Sequence, residues 1–276
     1  MSRNSKLSRL RAGIAAAAIV AFALTGCAAA ETSETITAGK LTIGTGEPAY
    51  GPWVLNDDPE SGEGFEAAVA YAVATELGYA AEDVVWVRTT FEEAIQPGPK
   101  NFDFNLQQYS ITEERKANVD FSDPYYQTTQ TVITVAGSKA EKVTDLAGLK
   151  GLKVGAATGT TSFTSIEEFI KPTDGAVVYN NNDDAKLALA NNQLDALVVD
   201  YPTALFISCC DEVLTEPKIL GQIAGAQGDD SFGLVLDKGS PLTAKVNAAL
   251  KTLRDNGTLA ELEKKWLTDQ GSPILK

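Results

Sequence analysis

Histidine is absent from this chain of 276 residues, and methionine occurs once, at its first position. Without imidazole, a Ser-His-Asp triad, a Cys-His dyad, a His-Glu-x-x-His zinc site and a neutral-pH histidine switch are all excluded. Positive charge is also scarce. The chain carries 23 basic against 37 acidic residues, a formal charge of −14. Non-specific affinity for nucleic acid comes mainly from Lys and Arg neutralising phosphates, so a nucleic-acid partner is not expected. What is present is a globular composition, 44% hydrophobic and 22% charged, long enough for one large domain or two of moderate size.

The amino terminus reads as a targeting segment. Arg3, Lys6, Arg9 and Arg11 precede an uncharged run, 12–24, which is too short to span a bilayer as a helix but suits the apolar core of a secretory signal. The following Leu24-Thr25-Gly26-Cys27 resembles the lipobox of bacterial lipoproteins, with Cys27 as the lipidated residue and 1–26 as the removed signal peptide. Removing 1–26 takes away four positive charges and leaves a mature charge of −18. Residues 27–38 show no apolar periodicity and read as a flexible tether. The remaining cysteines, Cys209 and Cys210, are adjacent. Neighbouring Cα atoms lie about 3.8 Å apart, below the usual disulfide span of roughly 4.4–6.8 Å. The pair therefore reads as two small apolar residues ending a helix, with a redox or metal role as the alternative.

From residue 40 onward, strand candidates (40–45, 84–87, 103–106, 131–136, 153–156, 176–179, 196–200 and 232–236) alternate with helix candidates (65–77, 162–170, 184–190, a segment from Ser240 to Asn256-Gly257, and one marked by Leu259, Leu262 and Trp266). Such alternation predicts α/β layers with largely parallel sheets. The pattern restarts at Leu152 after a polar stretch, 137–151, which predicts two lobes.

Several segments carry a resemblance. Gln108-Tyr109-Ser110-Ile111-Thr112-Glu113-Glu114-Arg115, then Val119-Asp120-Phe121-Ser122-Asp123-Pro124-Tyr125-Tyr126, resemble the signature of the family 3 extracellular solute-binding proteins, the polar amino-acid receptors of ABC importers. In the family's order come also Leu41-Thr42-Ile43-Gly44-Thr45, Gly64-Phe65-Glu66, Gly159-Thr160-Thr161, Leu194-Asp195-Ala196-Leu197-Val198-Val199-Asp200 and Phe232-Gly233-Leu234. The resemblance implies a bilobal periplasmic-binding-protein-like α/β fold, two lobes joined by two crossover strands near 126–131 and 224–230. Lobe 1 would be discontinuous, 39–128 and 229–276, with lobe 2 at 129–228. It further implies a monomer that is no enzyme, needs no cofactor and delivers an amino acid to an ABC permease. With the lipobox, the expected location is the outer face of the cytoplasmic membrane.

An amino acid presents a carboxylate, an ammonium and a side chain, so its receptor needs three unlike environments. Arg115 supplies a planar fork matched to a carboxylate, although Glu113-Glu114-Arg115-Lys116 taken alone reads as a solvated face. Thr160 and Thr161 open a helix after a strand, where free amides and hydroxyls meet an anion, or simply cap it. Asp200 ends an apolar strand, at the edge where open α/β sheets place ligands, and can pair with the ammonium; its plain alternative is a loop or cap residue before Pro202. The resemblance adds Ser110 for the carboxylate, and Tyr50 and Phe91 as aromatic walls, with Trp53 as the alternative core residue.

Three departures bear on the ligand. Gly46 intervenes before Glu47; Gln107 and Gln108 stand where the family has smaller residues; and 96–101 differs from the common form. Glu47 and Glu66 favour a cationic or neutral polar amino acid, whereas an acidic one would want a second cation, for which Arg88 is the candidate. Glu47 and Gln108 complete the expected site. Two other functions share the scaffold: a cyclohexadienyl-type dehydratase, in which Glu47 and Glu66 could do acid-base work, and a sensory ligand-binding module.

Overall fold

The computed structural model describes residues 34–211, 213–267 and 272–276. The signal peptide 1–26 and Cys27 lie outside them. Among the described residues the strands are β1 (Leu41–Gly46), β2 (Val84–Thr89), β3 (Phe104–Asn105), β4 (Asp120–Phe121), β5 (Tyr126–Val135), β6 (Val154–Ala157), β7 (Val177–Tyr179), β8 (Ala196–Asp200), β9 (Pro217–Phe232), β10 (Val235–Leu236) and β11 (Ile274–Leu275). They form two mixed sheets, ordered β2-β1-β3-β10-β4 and β11-β9-β5-β8-β6-β7. Both belong to one compact unit, Ser33–Lys276. This is the bilobal α/β architecture expected from the sequence.

Each sheet is parallel on the side that carries the site. β1 runs parallel to β2 and β3, and β6 runs parallel to β7 and β8. β1 is buried along its whole length, as a central strand covered on both faces must be. The helix Phe65–Glu76 covers the first sheet with Phe65, Val69, Ala70 and Val73, and the helix Thr243–Asp255 adds Val246, Leu250 and Leu253. Gly78 closes the former at φ 88°, the left-handed position past a helix end that glycine adopts without a Cβ clash. The helix expected from Ser240 begins at Thr243. Ser240 instead accepts from the Leu242 N–H at 3.2 Å, a local turn in place of a cap.

β5 and β9 connect the lobes. They pair antiparallel from Tyr126↔Phe232, beside the first sheet, to Val135↔Pro217 in the second. Where they leave the first sheet, Trp53, Phe65, Tyr125, Tyr126 and Phe232 pack edge-on or tilted with ring centroids 5.4–6.3 Å apart, spacings at which aromatic pairs attract. Of β9, the crossover at 224–230 was expected, whereas the stretch before it, from Pro217, has no strand-like alternation; its extended form is set by pairing with β5.

Three expectations are corrected. The tether is not free at its end: Thr35 is buried, the Ile36 N–H donates to Asp103 Oδ1 at 2.8 Å, and Glu34 pairs with Lys245. The last residues do not join lobe 1, since Ile274 and Leu275 pair with Gln222 and Ile223 of β9 in the second sheet. The adjacent cysteines end the helix Tyr201–Cys209 but are not buried apolar residues. Both are exposed and joined by a disulfide, formed where Cys210 leaves helical conformation at φ −135°, ψ −8°.

Candidate functional site

The carboxyl ends of the parallel strands in both lobes face one cleft. After β1 come Glu47, Pro48 and Tyr50; after β2, Thr90 and Phe91; after β3, Gln107, Gln108, Ser110 and Arg115. From the other lobe, the end of β6 brings Ala157, Thr158 and Thr160–Ser162; the end of β7, Asn180–Asn182; and the end of β8, Val199 and Asp200. The cavity in this cleft is about 170 Å³, comparable with engineered cavities of about 150 Å³ that hold a benzene-sized molecule.

All nine residues expected at a site line this cavity: Arg115, Asp200, Ser110, Thr160, Thr161, Tyr50, Phe91, Glu47 and Gln108. Arg115 lies in the short helix Glu113–Lys116, capped by Thr112, and is only 7% exposed. Its Nη1 donates to the Ser110 carbonyl at 2.7 Å and its Nη2 to the Gly159 carbonyl at 2.8 Å, so one guanidinium touches both lobes. The Phe91 ring lies under it, 5.2 Å from Cζ to centroid, a cation–π distance. Burial works against its charge, and Asp230, Tyr109 and Asp200 work in its favour.

Thr160 caps the helix Thr161–Ser165. Its Oγ1 accepts from the Phe163 N–H at 3.1 Å and donates to the Ala157 carbonyl at 2.7 Å. That hydroxyl is spent on the cap, and the first-turn N–H groups have no acceptor within the helix. The Thr161 hydroxyl meets Ser110 Oγ at 3.1 Å across the cleft. Asp200 accepts from Gln130 Nε2 at 2.9 Å. Its carboxyl is pushed well above the usual carboxylate range, by burial first and by the neighbouring Asp230 second. Burial also raises the Tyr50 hydroxyl, with Asp183 adding to it, while the N–H groups of Asp183 and Asn182 pull it down.

Three other residues do not line the cavity. Trp53 is fully buried and donates from Nε1 to Thr203 Oγ1 at 2.8 Å, which makes it a core residue joining the lobes. Arg88 is bound to Asp57 and to the Gly46 carbonyl. Glu66 lies beneath the floor, accepting from the Gln108 N–H at 2.8 Å, the Gln108 side chain and the Tyr125 hydroxyl. Burial lifts its pKa to about 7, against these three donors. An acid raised in the folded state is favoured there when protonated, so stability should fall as pH rises from about 4.5 to about 7, by about 3 kcal/mol in all. Urea unfolding across this range is expected to show that slope, and Glu66→Gln is expected to flatten it. An unchanged slope in the variant would place the titration elsewhere.

Asn180, Asn181 and Asn182 were missed from sequence, although the signal was there: three amides directly follow a predicted strand, at the same edge where Asp200 ends another. They surround the start of the helix Asn182–Ala190, which Asn181 caps by accepting from the Asp184 N–H at 2.8 Å.

The model of the bacterial extracellular solute-binding proteins, family 3, matches residues 41–269. The ABC transporter glutamine-binding protein GlnH of Bacillus subtilis is 33% identical over 77% of this chain and 76% of its own length. The arginine-binding extracellular protein ArtP of the same organism is 29% identical over 92% and 96%. An ancestral arginine-binding protein bound to glutamine superposes with a TM-score of 0.69 at 31% identity, covering 83% of this chain and 98% of that one. The chain belongs to the bacterial extracellular solute-binding proteins, family 3.

Proposed function

We propose that this solute-binding protein captures a polar or cationic L-amino acid between its lobes and delivers it to an ABC permease. The observation that carries the reading is the pairing, in one cavity, of a buried guanidinium with a carboxylate at the end of β8. Arg115 takes the ligand carboxylate together with Ser110 and the first amides of the helix Thr161–Ser165, and Asp200 takes the ammonium. Tyr50 and Phe91 flank the side chain. Gln107, Gln108 and Asn180–Asn182 offer it amides, and exposed Glu47 stands at the wall as an anion. The relatives' names, glutamine-binding and arginine-binding, agree with a pocket that offers a side chain neutral hydrogen-bonding groups and, besides Asp200, the acid Glu47.

Lobe closure is the assigned motion, a hinge mechanism known for binding proteins of this kind. The proposed lobes are 39–128 with most of 229–276, and 129–228. Signal peptide 1–26 would direct export and be removed, and a lipid on Cys27 would then hold the mature protein at the outer face of the cytoplasmic membrane. The basic residues before 12, the uncharged run 12–24 and Leu24-Thr25-Gly26-Cys27 support this, and no helix among the described residues is long and apolar enough to cross a membrane.

Energetics allow it. Micromolar affinity needs about −8.2 kcal/mol, within reach of a ligand of about ten heavy atoms at the ceiling of roughly −1.5 kcal/mol per atom. Thermal unfolding against a panel of L-amino acids tests the reading. A ligand at 100 times its Kd adds about 2.7 kcal/mol, a readily measured rise in Tm. Arginine or glutamine is expected among those that shift the transition; a panel without any shift overturns the ligand class.

A further inference from the structure

The cleft residues do not end at Asp200. Behind it, on β9, lies a second acid, Asp230, only 8% exposed. The two are linked through a single amide on β5: Gln130 Nε2 donates to Asp200 Oδ1 at 2.9 Å and to Asp230 Oδ2 at 2.6 Å. An amide nitrogen has two protons, so each carboxylate receives one. The orientation of this amide is fixed at its other end, where Ser162 Oγ donates to Gln130 Oε1 at 2.6 Å. Thr161 Oγ1 also donates to Asp230 Oδ2, at 2.9 Å. Its single proton is thereby used, so in the contact with Ser110 the donor is Ser110.

The chain of bonds therefore runs from Ser110 in the first lobe, through Thr161 in the second, to Asp230 on one connecting strand, Gln130 on the other, and Asp200. Asp230 Oδ1 is buried without a hydrogen-bond partner. A buried carboxylate held by neutral donors is costly; Arg115 offsets part of that cost through space, and among the described residues no cation forms a salt bridge with Asp230. A cation placed against Asp200 would offset that cost.

We propose that Asp230, acting through Gln130, is a positioning residue for the ammonium subsite: it holds the amide that aims Asp200 and adds a second negative charge behind it. The proposal rests on the amino-acid-binding reading above and assigns the ammonium a site made of two acids. The charged and titratable groups around Asp200 are Asp230, Glu66 and Arg115, with Tyr125 behind Glu66. Removing the Asp230 charge lowers the cost of ionising Asp200 and so should carry binding to lower pH, while weakening it at pH 8, where Asp200 is most fully ionised.

The test is calorimetric titration of wild type, Asp230→Asn and Gln130→Leu with L-arginine and L-glutamine, and with their α-hydroxy counterparts, in which a hydroxyl replaces the ammonium. At pH 8 both variants are expected to bind the amino acid roughly ten- to a hundredfold more weakly, the size of one hydrogen bond to a charged group, with less than about a threefold change for the hydroxy acid. Their melting transitions check that they fold. Equal weakening for both ligand types would mean a merely structural role, and unchanged amino-acid affinity would remove Asp230 from the subsite; either overturns the proposal while leaving the functional reading intact. A wild type that binds neither of these nor any other L-amino acid of the panel overturns the assignment together with the reading it rests on.

Discussion

Arg115→Ala is expected to weaken amino-acid binding by about 2–5 kcal/mol, the range for deleting one partner of a buried, hydrogen-bonded charge pair. The side chain is almost wholly buried, so a ligand carboxylate meeting it would be shielded from water on most sides. Two of its N–H groups are already given to the Ser110 and Gly159 carbonyls. The guanidinium has five donors in all, which leaves enough for both carboxylate oxygens. The bond to Gly159 also ties the lobes together, so the alanine variant also loses part of what favours closure. Arg115→Lys separates the two contributions. It keeps the charge and loses the fork, and at a bidentate site that exchange is not conservative. Calorimetry should therefore find the lysine variant between wild type and alanine, with all three unfolding cooperatively. Unchanged affinity in Arg115→Ala would remove Arg115 from the site.

Asp200→Asn is the second large effect, again about 2–5 kcal/mol, and it carries a pH signature. The carboxyl of ligand-free Asp200 is raised by burial and by Asp230. Only its ionised form pairs with an ammonium, so wild-type affinity should fall as pH is lowered through that raised pKa. A docked ammonium favours the ionised carboxylate, so binding near that pH should release a proton, measurable by titration in two buffers of different ionisation enthalpy. For folding the sign is opposite: a raised acid stabilises the ligand-free protein at low pH and loses that contribution as pH rises. In the asparagine variant both the pH dependence of affinity and the proton release should disappear. A variant that bound tightly with the wild-type pH profile would contradict the assignment.

Much of the site was legible because the family-like segments fall at strand ends. Ser110, Arg115, Thr160 and Thr161 follow β3 or β6 and Asp200 ends β8, and parallel strands gather their carboxyl ends at one edge, so residues far apart in sequence meet there. Glu66 and Trp53 show where that logic stops. Both stand in or near recognisable segments, but neither lies on the cleft edge. Glu66 is in the first turn of a helix whose start packs under the floor, and Trp53 follows a turn that folds its ring into the aromatic cluster between β5 and β9. Arg88 was drawn away by Asp57, 31 residues earlier in the chain, a pairing that no periodicity announces.

The rest was hidden for a different reason. The part of β9 before 224 takes its form from β5, 82 to 91 residues earlier, and β-structure depends on such pairing more than on local preference. Pairing of β11 with β9 is equally non-local, which is why the carboxyl terminus was expected in the other lobe. Asp230 carries no local sign of its role either; its place beside Asp200 arises only when β5 and β9 are aligned.

The most direct test of the whole account is a crystal structure with the amino acid that shifts the melting transition most. It should show that molecule in the cavity between the lobes, its carboxylate on the Arg115 guanidinium and its ammonium on the Asp200 carboxylate. A ligand bound elsewhere, or one whose backbone groups contact neither residue, would contradict it.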